Sequence, residues 1–137
     1  MSIRPRYAEA ILNGSKQVEF RKRRIADDVT HVVVYATAPV SAVVGAFAVN
    51  GQHTSSPPSL WRRFRRVGGI SRDLFFDYFA GREQGTGIHV GAVLAPAEPL
   101  PLLDSVGVAR PPQSYQYLPS ETAGRVLAGM TRVAHGS

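Results

Sequence analysis

Apolar residues along this chain repeat with two different periods, and the switches between them predict a mixed order of strands and helices. Ser2 to Arg4 reads as a short opening strand, after which Pro5 fits the first turn of a helix running to about Leu12. Tyr7, Ala10 and Ile11 form its apolar stripe, and Asn13-Gly14 stops it. From Gln17 the period becomes two. Val18 and Phe20 fall on one face of a strand and Gln17, Glu19, Arg21 and Arg23 on the other, with Lys16 in the preceding turn. Asp27-Asp28 turns the chain into a buried strand from about His31 to Ala36, and a longer strand follows Pro39, from Val40 to Asn50.

Gly51 to Pro58 is rich in Gly, Ser, Thr and Pro and reads as a loop, carrying His53, whose Ser56-Pro57 pair caps the next helix. In that helix Leu60, Trp61 and Phe64 share a face, while Arg62, Arg63, Arg65 and Arg66 cover the rest. Gly68-Gly69 ends it. Ser71 caps a further helix through Phe79, with Ile70 placed to staple against Phe75 and with Leu74, Phe75, Tyr78 and Phe79 as core positions. Thr86 to Leu94 alternates as a strand, and the three prolines between Ala95 and Pro101 mark an edge or connection. A last helix runs from about Glu121 to Met130 with Ser120 as its cap, before a loose tail at His135-Gly136-Ser137.

At 137 residues and 44% hydrophobic content, the chain is sized for one globular domain with its own core. No Asp, Glu, Lys or Arg occurs from Val29 to Leu60, and Val32 to Val49 is mostly apolar. Pro39 and Gly45 interrupt that run, so two valine-rich strands explain it better than a membrane helix. The amino-terminal residues lack the apolar core of a secretion signal. With no cysteine there is no disulfide, thiolate nucleophile or cysteine-held zinc, and a cytoplasmic setting is the simplest expectation. The formal net charge of +6 comes from fourteen arginines and two lysines against ten acids, which favours a polyanionic partner.

The chemistry concentrates in the charged strand. An arginine fork beside a carboxylate suits phosphate or base edges, and Lys16, Glu19, Arg21 and Arg23 bring both charges to one place. The four histidines show no metal-ligand spacing, and the Walker loop, dinucleotide fingerprint and GxSxG elbow are all missing. No metal or cofactor is therefore expected.

The opening helix followed by Gly14-Ser15-Lys16 and Glu19-x-Arg21 resembles the GxKxxExR signature of the ASCH domains, a family of the PUA-like superfamily. Tyr35-Ala36-Thr37-Ala38-Pro39, Val43-Val44-Gly45, Tyr78-Phe79-Ala80-Gly81-Arg82 and Pro111-Pro112-Gln113-Ser114-Tyr115 resemble segments of one bacterial branch, so the likeness covers most of residues 1–118. The resemblance implies an α+β fold, a PUA-like small mixed β-barrel with flanking helices. Residues 1–137 would form a single such domain, with 110–137 as a carboxy-terminal extension carrying the last helix. It also implies a cleft where Lys16, Glu19 and Arg21 converge, in a superfamily associated with RNA or modified bases.

Some relatives are acetylcytidine amidohydrolases that use the signature lysine, a threonine three positions later and a distant glutamate. Here Lys16 matches, but Glu19 stands at the threonine's place, and Glu83 and Glu98 both lie in turns. Other relatives are linked to ribonuclease activity, for which Lys16, Tyr35 and Arg21 could supply acid–base and phosphate-binding groups.

The expected function is binding of RNA or a nucleotide in a cleft lined by Lys16, Glu19, Arg21, Arg23 and Tyr35, with Gln113, Ser114 and Tyr115 closing over it. Arg62, Arg63, Arg65 and Arg66 would add sequence-independent phosphate attraction, which suits DNA as well. The enzymatic alternative is a metal-independent ribonuclease or nucleoside amidohydrolase using Lys16 with Glu19, and a third reading is a regulatory protein-interaction module. No membrane partner is expected, and oligomeric state is left open.

Overall fold

The structure is a computed structural model that describes residues 1–108 and 110–134. Its strands are β1 (Ser2–Ile3), β2 (Val18–Arg21), β3 (His31–Ala36), β4 (Ala42–Ser55), β5 (Gly85–Ala95) and β6 (Thr131–Arg132). Its helices are α1 (Pro5–Leu12), α2 (Pro57–Phe64), α3 (Arg72–Tyr78), α4 (Leu102–Val106) and α5 (Ser120–Ala128). The sheet runs in the order β1-β3-β4-β5-β2, with β6 added to the end of β5. Among the described residues only β1 and β3 pair in parallel, and every other pairing is antiparallel. This mixed sheet curls into a half-barrel, as the α+β expectation required. Its two free edges, β1 and β2, have no ladder between them.

The alternation of apolar residues decides what packs where. Inside the curl, Ile3, Val32, Val34, Phe47, Ile88 and Val93 meet Ala8 and Ile11 of α1, which plugs the barrel. On the outer face one end of the sheet carries Val18 and Phe20 against Leu60, Phe64, Phe75 and Phe79 of α2 and α3. Phe20 and Phe75 meet edge to face at 4.9 Å. The other end carries Tyr35, Val43 and Ala46 against Val106, Val126 and Met130 of the carboxy-terminal helices. Burying one such phenylalanine or leucine stabilises the fold by roughly 1.5–3 kcal/mol, so the outer face is held as firmly as the inner one.

Several expectations need correction. Residues 51–55 continue β4 instead of forming a loop: Gly51 takes φ +109° and absorbs an irregularity, and Gln52 to Ser55 then pair with β5. Composition hid this, because the Ser and Thr here face solvent on a strand whose partner is supplied by tertiary structure. Leu74 and Tyr78 are 40% and 36% exposed, so only the Phe75–Phe79 side of α3 is core, while Lys22 lies 5.1 Å over the Tyr78 ring. The last helix begins at Ser120, with Pro119 at its cap and no side-chain cap bond, and it ends at Ala128. The strand drawn from Val40 starts at Ala42. α4 and β6 are too short for their periodicity to show. The tail at His135-Gly136-Ser137 lies outside the described residues. Among the described residues no helix is long and apolar enough to cross a membrane.

Gly45 gives a direct test of the close packing between α1 and the sheet. A Cβ there would lie 2.7 Å from the Leu94 main-chain oxygen and 2.5 Å from Leu12 Cδ2, and the backbone oxygen cannot swing away. Gly45→Ala should therefore lower the unfolding free energy by about 1–3 kcal/mol in urea titration, whereas Gly124→Ala, with open space around it, should not destabilise.

Candidate functional site

The charged strand becomes a buried ion cluster. The turn at Asn13-Gly14 releases Lys16 next to the start of β2, and the pleat places Glu19 and Arg21 together on the face opposite Val18 and Phe20. Lys16 is only 2% exposed and Glu19 6%. The Lys16 ammonium donates to the Gly68 carbonyl and lies 3.6 Å from Glu19 Oε1, between the rings of Tyr7 at 5.5 Å and Phe20 at 5.2 Å. Gly69 makes room for it: the residue has φ +63°, and a Cβ there would meet the Lys16 side chain at 2.7 Å. Burial pulls the Lys16 ammonium below its ordinary value, while Glu19 opposes that by favouring the charged form.

Glu19 is the hinge of the cluster. Its Oε2 accepts from Arg21 Nη2 at 3.2 Å, so one carboxylate faces two cations. Arg21 then reaches across the gap between the two sheet edges. Its Nη2 donates to the Ser2 carbonyl at 2.9 Å on β1, and its Nη1 to Ser114 Oγ at 3.0 Å. Ser2 in turn donates its amide to the Ser114 carbonyl at 2.8 Å and its hydroxyl to the Pro112 carbonyl at 2.6 Å. The barrel's open seam is thus closed by side chains and by the segment 111–118 instead of a strand ladder. Arg21 Nε is buried without a partner among the described residues, and one Nη1 hydrogen is also uncommitted there.

Beside this seam lies a cavity of about 770 Å³. Tyr35, His31, Tyr115, Tyr117, Asp28 and Gln116 contribute its polar and aromatic wall, and aliphatic side chains from β3, α4 and α5 the remainder. Tyr115 and Tyr117 meet edge to face at 5.6 Å, and the Tyr117 hydroxyl accepts the Ala26 amide at 3.0 Å, which ties the 111–118 segment to the β2–β3 connection. Pro112 and Tyr115 line the cavity on either side of Ser114, the residue that accepts from Arg21; Arg21 and Ser114 themselves stand outside its wall.

The sequence-derived candidates therefore divide into groups. Lys16, Glu19, Arg21 and Ser114 come together, with Lys16 behind Glu19 and Arg21 nearest the cavity. Tyr35 and Tyr115 line the cavity itself, while Gln113 and Arg23 are exposed and outside its wall. Arg62, Arg63, Arg65 and Arg66 are all exposed on or just after α2. Sequence reasoning missed Ser2, Gly68, His31 and Tyr117. Tyr117, two residues beyond the Pro-Pro-Gln-Ser-Tyr segment, and Gly68, two residues after Arg66, lay close to residues already singled out.

No family model matches the chain. A curated protein described as an ASCH domain-containing ribonuclease, from Zymomonas mobilis subsp. mobilis, is 31% identical over 140 residues, spanning 97% of this chain and 92% of its own. The crystal structure of an ASCH protein from Zymomonas mobilis matches with a TM-score of 0.84 and 28% identity, covering 98% of this chain and 96% of that one. A tyrosine-to-phenylalanine variant of the Zymomonas protein matches with the same TM-score, at 27% identity and 96% coverage of each chain.

Removing one partner from the buried cluster leaves the others uncompensated. Lys16→Ala should cost about 3 kcal/mol or more in chemical denaturation, because the Gly68 carbonyl and half of Glu19's pairing are lost together. Arg23→Ala, at an exposed position, should stay within about 0.5 kcal/mol. The pH dependence follows the same cause. Lys16 holds its proton less tightly folded than unfolded, so the unfolded state binds more protons and stability rises with pH below the ordinary lysine value of 10.5. Tyr78, raised above its ordinary 10.0 chiefly by burial, withdraws stability only above that value. Wild type should thus gain stability relative to Lys16→Met as pH climbs from about 8 toward 10, and parallel curves would contradict the burial of a titrating lysine.

Proposed function

This chain belongs to the ASCH domain family, and on that premise we propose that it binds single-stranded RNA, seating one nucleotide in the cavity with the adjoining phosphate on Arg21. The observation that carries the reading is the meeting of two features at the barrel seam. A cavity of about 770 Å³ falls within the range of small-ligand sites, and its wall holds three tyrosines and a histidine. Next to it stands a guanidinium with two uncommitted N–H donors, one of them buried. Unpaired bases stack on such rings, and an incoming phosphate oxygen can take the place of the Ser114 hydroxyl on Arg21. Lys16 and Glu19 act behind Arg21, fixing its orientation from inside the fold. The exposed arginines after Leu60 supply long-range attraction.

A second reading, cleavage of the bound strand, is supported by the description of the Zymomonas relative as a ribonuclease. RNA carries its own nucleophile: the ribose 2′-hydroxyl gives its proton to water as its oxygen attacks phosphorus, the bond from phosphorus to the 5′-oxygen breaks, that oxygen takes up a proton, and a 2′,3′-cyclic phosphate remains. Arg21 would stabilise the charge that builds on the non-bridging oxygens, and Tyr35 and Ser114 supply hydroxyls beside the cavity.

Fluorescence anisotropy with a labelled oligonucleotide of 2′-O-methylated RNA, which cannot be cleaved this way, tests binding alone. Arg21→Gln should weaken it by about tenfold or more, as expected when a charged hydrogen-bond donor is lost. Tyr115→Ala, on the outer segment and so less able to disturb the fold, should weaken it by about five- to a hundredfold through lost stacking. Equal affinity in wild type and both variants would remove the nucleotide from this cavity. Unmodified RNA in the presence of a chelator then separates the two readings: a 2′,3′-cyclic product lost in Arg21→Gln supports cleavage, and intact RNA supports binding alone.

A further inference from the structure

A second cationic cluster lies away from the seam, on the outer face of the sheet beside α2. His89 of β5 is directly opposite Val18 of β2, and His53 of β4 is opposite Gly87 of β5. Residues opposite each other in an antiparallel pair share a face, and Val18 faces Leu60 and Phe64, so both imidazoles emerge on the α2 side. They converge on one ring: Phe64 lies 5.2 Å from His89 and 5.8 Å from His53, each edge to face. The guanidinium of Arg63, from the same helix, sits 5.4 Å over that ring. Both histidines are half-buried and Arg63 is exposed, so the three groups surround an aromatic platform at the rim of the core. Gly51 lies beside the His89 ring, where a Cβ would stand at 3.9 Å, an ordinary contact distance.

Among the described residues no carboxylate pairs with these groups. Asp28 and Asp73 are consecutive acids in the sequence, so β3, β4, α2 and everything between them carry none, and neither does β5. The groups facing His89 are Val18 from β2, His53 from β4 and Arg63 from α2. Those facing His53 are Gly87 and His89 from β5 and Phe64 with Arg63 from α2. Arg24 bonds the neighbouring Thr54, whose side chain alternates to the opposite face. Arg62, Arg65 and Arg66 are exposed alongside.

We infer that His53, His89 and Arg63 form a proton-dependent phosphodiester site that holds the RNA backbone outside the nucleotide in the cavity. This rests on the RNA reading above, which it extends to a second contact. Burial, Arg63 and His53 all pull the His89 imidazole below its ordinary value of 6.5, so at neutral pH it is mostly uncharged. A bound phosphate opposes the repulsion from Arg63 and His53, raises the proton affinity of the His89 ring and is held more tightly once that ring is charged. The cluster therefore couples proton uptake to backbone binding.

The test follows the histidine ring protons of the full chain by NMR across pH, with and without a 2′-O-methylated hexauridylate. His89, assigned through His89→Asn, should titrate about half a unit or more higher with the oligonucleotide present, each full unit corresponding to tenfold tighter binding of the protonated form, and the His53 ring signals, assigned through His53→Asn, should move on binding. Affinity should accordingly rise severalfold from pH 8 to pH 6, and the double variant should lose that rise. Arg63→Gln, at an exposed position, should raise the His89 titration in the free protein and weaken the oligonucleotide's effect on it. Binding that leaves both rings unmoved would overturn this site and leave the RNA reading standing. Shifted rings with affinity unchanged in Arg21→Gln would support this site and remove the nucleotide from the cavity. No binding at either pH would overturn both.

Discussion

The seam of the barrel is the constraint from which the rest follows. A mixed sheet of this order leaves β1 and β2 as free edges, and edges leave main-chain groups that must find partners elsewhere. Here the partner is Arg21, whose fork takes Ser2 of β1 and Ser114 of the outer segment while Glu19 steadies it from behind. Such an arrangement closes the barrel without sealing it. A strand ladder at this place would have filled the gap that now adjoins the cavity, and an apolar plug would have left nothing to bind charge.

The cost of the arrangement lies in burying Lys16 and Glu19, which gains little stability by itself. What the cluster secures is geometry. Lys16 is pinned by Gly68, Tyr7 and Phe20, three contacts from the loop after α2, from α1 and from β2. Through it the aromatic core under α2 and α3 and the plug helix α1 both fix the position of Glu19, and so of Arg21. Of the signature residues, Lys16 and Glu19 are thus internal, and Arg21 is the one that reaches the seam.

The sequence made the alternation in residues 17–21 legible, because a strand face needs only a period of two, and it made the capping serines Ser56 and Ser71 legible through local chemistry. The resemblance to the ASCH pattern supplied the barrel, and it also singled out Ser114, which spacing alone would not have chosen. What stayed hidden depends on register. His53 and His89 are 36 residues apart and meet only because Val49 to Gln52 carry an irregularity that sets the pairing of β4 with β5. Ser2 joins the site through a main-chain carbonyl, which no side-chain pattern can announce. The cavity wall at Tyr117 arises from the path of 111–118, a segment with no regular structure and hence no period to read.

Photo-crosslinking of the unaltered protein to an oligoribonucleotide carrying 4-thiouridine, followed by peptide mass spectrometry, tests the central claim most directly. The account predicts adducts on the peptides holding Tyr35 and Tyr115 to Tyr117, suppressed by excess unlabelled RNA. Adducts confined to other parts of the surface, with those peptides unmodified, would contradict it.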